Sequence, residues 1–184
     1  MKAAGSQPGT RVGEALTREE PMVSLEQSET FILQSEAFPP GGSMPPRLTC
    51  DGENESPPLF WSGSPATTLA FALLVNDVDV PGTPFIHWLL FNIPADINHL
   101  PASVPRLEYF EVGTVQVRNS TGRIGYDGPC PPPGEFHHYQ FTLFALDAPL
   151  ALGALASTQQ VLDAIRAHTL DTAVLVGTYK RVEL

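Results

Sequence analysis

Prolines and glycines interrupt this chain along most of its length, and they constrain its fold more than any other feature. The 184 residues include 19 Pro and 15 Gly, and both residue types favour turns and break long helices. Short apolar runs lie between them. The pattern therefore predicts an all-β core with many turns.

Four runs predict the main strands. Residues 69–75 and 85–93 are almost continuously apolar, which is typical of central strands packed on both faces. Residues 137–147 and 173–179 have strand propensity, and a shorter alternating run at 31–36 predicts a further strand before a Pro-Gly turn.

One helix is predicted near the C-terminus. Ser157 with Gln160 three residues later forms a capping-box pattern, and Val161, Leu162 and Ile165 fall near one helical face. This helix is expected to pack on the sheet and to take no part in chemistry.

The domain organisation follows from composition. Residues 1–28 have almost no apolar cluster, which predicts a disordered or loosely draped tail, and residues 29–184 form one domain. Residues 95–128 show no clear period and are expected to form long loops over one end of the fold.

The charge balance excludes some partners. Ten Lys and Arg against twenty Asp and Glu give a net charge of -10, which repels nucleic acids and anionic membranes. The chain has no apolar run of membrane-spanning length, and its first 30 residues lack a secretory signal pattern. We therefore expect a soluble cytoplasmic protein with no transmembrane segment.

The two cysteines, Cys50 and Cys130, lack Cys-x-x-Cys partners, which argues against zinc or thioredoxin chemistry. In a reducing cytosol we expect two free thiols. A disulfide between them remains open as the alternative.

Polar residues follow the first central strand and begin the next. Asp77 and Asp79 come directly after one apolar run, and His87 lies near the start of the other. Alternation places His87 on the same face as Leu89 and Phe91. Because a buried imidazole needs a partner, we expect one of the two carboxylates to bond it.

A second polar group lies later in the chain. His137 and Tyr139 share one strand face, whereas His138 points to the other and is the weaker candidate. The preceding run from Gly128 to Gly134 includes Pro129 and Pro131 and forms a stiff turn. Two imidazoles, a phenol, a carboxylate and loop N–H groups would together make a pocket for a phosphate-sized anion.

Plainer interpretations of these residues are a satisfied core histidine, a solvated acidic turn and a stiff connection. The sequence lacks His-x-His spacing and a Gly-x-Ser-x-Gly elbow, so neither a metal site nor a serine hydrolase is expected. No cofactor is expected.

Four blocks in this order resemble a known family over about residues 30–181. They are Phe31-Ile-Leu-Gln-Ser-Glu-Ala-Phe38 with Thr49-Cys-Asp-Gly52, Asp77-Val-Asp-Val-Pro81 with His87-Trp-Leu-Leu-Phe-Asn-Ile-Pro94, Gly125-Tyr-Asp-Gly-Pro-Cys-Pro-Pro132 with His137-His-Tyr139, and Gly177-Thr-Tyr-Lys-Arg181. The family is the phosphatidylethanolamine-binding proteins, which include the Raf kinase inhibitor protein. The Cys-Asp-Gly and Gly-Pro-Cys-Pro-Pro details resemble its microbial branch.

The resemblance implies a Greek-key β-sandwich of antiparallel sheets with an anion pocket at one end. By motif position the pocket comprises Asp77, His87, His137 and Tyr139, flanked by Asp79, Pro81 and the 128–132 loop. Two departures stand out. Val78 replaces the family's usual proline, and His138 replaces its usual arginine, which removes a cation beside the site.

These observations predict a non-enzymatic binding and regulatory protein for phosphate-bearing small molecules, such as phospholipid headgroups, or for phosphorylated peptides. The resemblance adds inhibition of a kinase or protease, which could use loop residues 95–128, and a homodimer as an option. The alternative is an enzyme in which Asp77, His87 and His137 act as general acid and base.

Overall fold

The computed structural model of the chain describes residues 30–110 and 112–182. The tail predicted for residues 1–28 lies outside these described residues. Nearly all of the predicted domain at 29–184 lies within them.

Eight strands in the described part form two antiparallel sheets. In chain order they are β1 (Ile32–Gln34), β2 (Leu59–Ser62), β3 (Ala70–Asp77), β4 (Phe85–Pro94), β5 (His99–Leu100), β6 (Val115–Gln116), β7 (Phe136–Leu146) and β8 (Thr169–Lys180). The smaller sheet has the order β1-β2-β5, and the larger has the order β6-β4-β3-β7-β8. The predicted all-β fold with antiparallel sheets is confirmed.

The helix α1 (Thr158–His168) lies between β7 and β8 in the chain. Its N-terminus carries the predicted capping box, because Ser157 accepts the Gln160 backbone N–H and the Gln160 side chain accepts from the Ser157 N–H. Basic side chains at Arg166 and His168 occupy its last turn. The described part of the chain contains no helix with the length and apolar character needed to cross a membrane.

The larger sheet separates two apolar cores. Trp88 and Leu90 of β4 pack into the core between the sheets, whereas Leu89 and Phe91 face the core under α1, which Val161 joins. Successive side chains of a strand point to opposite faces. Both faces of β4 are therefore buried, as its continuous apolar run predicts.

The strands that the sequence did not reveal are short. β2 has four residues and follows two prolines, and β5 and β6 have two residues each. The segment 95–128 is otherwise mostly loop, but β6 pairs with the middle of β4. This segment therefore runs beside β4 and brings residues 119–128 to the start of that strand.

Cys50 and Cys130 form a disulfide, with their Cα atoms 5.4 Å apart, so the expectation of two free thiols is wrong. The two loops already approach closely, because the Cys50 N–H donates to the Pro129 carbonyl at 3.0 Å. Gly128 makes this approach possible, since a Cβ there would lie 2.1 Å from the Leu48 carbonyl oxygen. Sequence spacing carries no signal for this contact.

Replacing both cysteines by serine should lower the free energy of unfolding. The bridge spans 80 positions, and the loop-entropy model assigns about 4 kcal/mol to a cross-link of this span. Urea denaturation of the double variant, compared with the oxidised wild type, measures the loss. A difference below about 1 kcal/mol would contradict this entropic role.

Candidate functional site

A cavity of about 340 Å³ opens at one end of the larger sheet. Five of the predicted site residues line it, and they come from four separate parts of the chain: Asp77, His87, Gly128, Pro131 and His137. A cavity of this size holds a phosphate group together with a small substituent.

Strand order explains why these distant residues meet. β3 ends at Asp77, whereas β4 and β7 begin at Phe85 and Phe136. Both β4 and β7 pair antiparallel with β3, and Asp77 lies opposite Phe85 on one side and Tyr139 on the other. The end of β3 therefore meets the starts of its two neighbours.

His137 and Asp77 form a buried ion pair. The Nδ1 of His137 donates to Oδ2 of Asp77 at 2.7 Å, and Oδ1 of Asp77 accepts the Asp79 backbone N–H at 2.9 Å. Burial alone lowers the pKa of His137, but the contacts with Asp77 and Glu135 outweigh it and raise the pKa above 6.5. The pair therefore favours a protonated imidazole with its Nδ1 fixed.

His87 has a different partner from the one expected. Its Nδ1 donates to the backbone carbonyl of Asp127 at 2.6 Å, so the prediction that Asp77 or Asp79 bonds His87 is wrong. Burial lowers the pKa of His87 below 6.5, and the Asp127 carbonyl and the Asp77 charge only partly offset it. A neutral His87 presents Nε2 as an acceptor, and this atom becomes a donor when it takes a proton.

The predicted face of His87 is also wrong, because β4 has a bulge. Val75 pairs with Trp88 and Asn76 pairs with Ile86, which leaves His87 as the extra residue. The bulge turns the imidazole away from the α1 side and against Tyr139, with ring centroids 5.2 Å apart. Bulges commonly redirect a side chain beside a functional site.

Tyr139 lies beneath the two imidazoles and is not part of the cavity wall. Its side chain is 1% exposed, and its hydroxyl has no hydrogen-bond partner of good geometry among the described residues. Burial, followed by the Asp77 charge, raises the pKa of this phenol well above 10. The hydroxyl is therefore a neutral donor beside the cavity.

The structure places Asp79 and Pro81 outside the wall. Oδ2 of Asp79 accepts hydrogen bonds from the His138 backbone N–H at 2.5 Å and from the His138 Nδ1 at 2.9 Å. The bond from the backbone N–H is the main cause that lowers the pKa of Asp79. The N–H of Val78 donates to the His138 carbonyl at 3.1 Å. The proline usual at this position could not make that bond.

The loop that begins at Gly128 forms one wall, together with the disulfide. The Gly128 N–H donates to Oδ1 of Asn54 at 2.6 Å, and Cys50, Cys130, Pro131 and Pro132 also line the cavity. Pro129 is not in the wall. The wall is therefore held by a covalent bridge and by side-chain bonds, in addition to proline stiffness.

Sequence reasoning missed a charged group that also lines the cavity. Arg123 donates from Nε to Oδ2 of Asp127 at 3.0 Å and to Thr121 at 3.1 Å, and all three residues line the cavity. Asp127 is buried and also accepts from Arg106 and Asn119. Burial alone raises the pKa of Asp127, but the bonds from Thr121, Arg106 and Asn119 outweigh it and lower the pKa.

The signal for this group was weak. Asp127 lies inside the Gly125-Tyr-Asp-Gly128 motif that pointed to the site, but Arg123 lies in a segment without periodicity. Among the described residues, no group of three or more His, Cys, Asp or Glu is arranged to hold a metal ion. The cavity lining thus combines a guanidinium, an imidazole whose pKa is raised and an imidazole whose pKa is lowered, with carboxylates that bond the first two.

Comparison with known proteins gives consistent matches. A family model described as phosphatidylethanolamine-binding protein matches residues 34–180. A relative in Methanothermobacter thermautotrophicus, named UPF0098 protein, is 46% identical over 149 residues, which cover 81% of this chain and 98% of that protein.

Two solved structures are also similar. Escherichia coli YbcL, described as a new member of the mammalian PEBP family, matches with a TM-score of 0.76 and 34% identity, covering 82% of this chain and 98% of YbcL. The homolog CT736 of Chlamydia trachomatis has a TM-score of 0.74 and 34% identity, covering 84% of this chain and 99% of CT736.

The pKa values of His137 and His87 should lie on opposite sides of 6.5, the ordinary value for histidine. NMR of the imidazole protons should give a pKa above this value for His137 and below it for His87. Asp77→Asn should lower the pKa of His137 by roughly one unit, because the paired charge is lost. The control is Asp147→Asn, which removes the carboxylate beside His168; an equal effect of both substitutions on His137 would refute the pairing.

Proposed function

Given that the chain belongs to the phosphatidylethanolamine-binding protein family, we propose that its cavity binds the phosphate group of a small molecule or of a phosphorylated peptide. A phospholipid headgroup is one such small molecule. The protein then acts as a binding and regulatory protein, and binding itself is the function.

One observation carries this proposal: buried carboxylates bond two basic groups, His137 and Arg123, at the same cavity. Asp77 bonds the imidazole of His137, and Asp127 bonds the guanidinium of Arg123 through its Nε. No side-chain bond within the described part engages the terminal nitrogens of Arg123, so they can donate to an anion. Guanidinium groups suit phosphate oxygens because their donors are rigid and planar.

The strength of such contacts decides whether local cations outweigh the net charge of -10. Hydrogen bonds that involve a charged group contribute roughly 1.5–3 kcal/mol each. A few of them give micromolar-class binding after the cost of association. Distant surface carboxylates are screened beyond about 8 Å at physiological ionic strength, so the nearby donors dominate.

Catalysis is the weaker hypothesis because the wall offers no free nucleophile among the described residues. The hydroxyl of Thr121 donates to Asp127, and the sulfurs of Cys50 and Cys130 are joined to each other. An enzyme using Asp77, His87 and His137 as acid and base remains the alternative. Turnover of a phosphorylated metabolite that His87→Ala abolishes would favour it.

Arg123→Gln should weaken the binding of inorganic phosphate by about tenfold, the effect of losing one charged hydrogen bond. Isothermal titration calorimetry measures the affinity, and the NMR signals of His87 and His137 should move on binding. The matched control is Arg166→Gln, which removes the same charge from α1, outside the cavity wall. Equal affinities of the two variants would contradict the role of Arg123.

Inhibition of a kinase or a protease is a second candidate function. The segment 95–128 exposes three large apolar side chains within six consecutive sequence positions, namely Leu107, Tyr109 and Val112 at 53–59% exposure. Exposed apolar groups of this kind favour contact with another protein.

Leu107→Ser combined with Val112→Ser should abolish any inhibition measured against panels of kinases and proteases, because the apolar contact is lost. Phosphate affinity should stay unchanged, since neither residue lines the cavity. Inhibition that persists in this variant would exclude the loop surface as the inhibitory contact.

The disulfide bears on where the protein works. Disulfides persist in oxidising compartments, and cytosolic thiols reduce accessible ones. A cytoplasmic location, as predicted from the sequence, therefore requires that the bridge between Cys50 and Cys130 withstand those thiols. A homodimer remains an expectation from the resemblance.

A further inference from the structure

Glu135 contacts the one nitrogen of His137 that a ligand could use. Nδ1 of His137 is engaged by the buried Asp77, so an anion can reach this ring only through Nε2. In the structure that nitrogen faces Oε2 of Glu135 at 3.1 Å. A carboxylate of the protein thus lies where a ligand oxygen would have to bind.

The two carboxylates on His137 differ in how firmly they are held. The Asp77 side chain is 5% exposed, and its second oxygen accepts the Asp79 backbone N–H. The Glu135 side chain is 59% exposed, and among the described residues its only hydrogen-bond partner is His137. Asp77 is therefore fixed in place, whereas Glu135 can turn into solvent.

The backbone around Glu135 leaves room for this movement of its side chain. Glu135 precedes the first residue of β7, and its N–H closes a turn on the Pro132 carbonyl at 3.0 Å. Gly134, the residue before it, has a φ of +85°, a conformation that favours glycine. The turn fixes the position of the Glu135 backbone while its carboxylate stays at the surface.

We propose, resting on the proposed function, that the Glu135 carboxylate is an internal competitor of the ligand. It covers Nε2 of His137 in the unliganded protein, and a phosphate-bearing ligand displaces it. The exchange keeps His137 paired with Asp77 and replaces one anionic contact by another. The cost is small, because an ion pair with an exposed partner contributes little to stability. A phosphate gains in addition the Arg123 donors, which Glu135 does not contact in this structure.

Other charged and titratable groups near His137 do not take the place of Glu135. Asp79 and His138 bond each other on the opposite face of β7, and Asp127 is engaged by Arg106 and Arg123. The remaining titratable groups around the ring belong to β3, β4, β7 and β8 and are Asp77, His87, Tyr139 and Tyr179. Glu135 is thus the one carboxylate of the described part that is both exposed and bonded to Nε2.

The test compares the affinity of four proteins for inorganic sulfate and inorganic phosphate at constant pH. They are the wild type, Glu135→Gln, Glu135→Ala and the control Asp96→Asn, which removes one negative charge beyond the far end of β4. Sulfate keeps the same charge near neutral pH, whereas phosphate does not. A change in sulfate affinity therefore comes from the protein alone. Calorimetry gives the affinities, and NMR gives the pKa of His137.

Both Glu135 variants should bind the two anions about two- to fivefold more tightly than the wild type, the change expected from removing one exposed ionic competitor. Both should also lower the pKa of His137 in the absence of any anion. Asp96→Asn should change neither quantity by a comparable amount.

The outcomes separate this proposal from the proposed function. Wild-type binding that neither Glu135 variant tightens overturns the competitor role alone. Absence of binding by every variant overturns the proposed function and this inference together. An unchanged pKa of His137 in both variants also overturns the inference, because the contact at Nε2 would then carry no charge interaction.

Discussion

The bond between Asp77 and His137 is the interaction on which the rest of the site depends. It joins the last residue of β3 to the second residue of β7 across 2.7 Å in a buried position. A buried carboxylate is stable only when it is paired and hydrogen-bonded. This pair gives the buried carboxylate of Asp77 and the Nδ1 of His137 a hydrogen-bond partner, and it leaves Nε2 as the one ring nitrogen that a ligand can contact.

Two further sets of contacts hold loops against this end of the larger sheet and so form the cavity. The segment 119–128 runs past the start of β4, where Asp127 accepts a hydrogen bond from His87 at its carbonyl and from Arg123 at its carboxylate. The disulfide and the Asn54 side chain tie the Gly128 loop to the loop that carries residues 50–54. Mobile loops would separate these groups, so the anchoring makes one small cavity from distant segments.

Much of this arrangement follows from sequence, because strands and helix caps have local signals. Apolar runs predicted β3 and β4, strand propensity predicted β7 and β8, and Ser157 with Gln160 predicted the start of α1. The alternation of side chains correctly placed His137 and Tyr139 on the same inner face. It gave the wrong face for His87, because the bulge at this residue depends on the pairing of β4 with β3 and cannot be seen in the sequence of β4 alone. For the same reason Arg123 was missed and the bridge of Cys50 to Cys130 was only the alternative to two free thiols, since only tertiary contacts bring those loops together.

In the proposed function, an oxyanion binds between Nε2 of His137 and the guanidinium of Arg123. A crystal structure grown in millimolar phosphate measures this most directly. Tetrahedral density is expected within hydrogen-bond distance of both groups, with the Glu135 carboxylate turned into solvent. Density bound elsewhere, or a cavity free of anion with Glu135 still on His137, would contradict it.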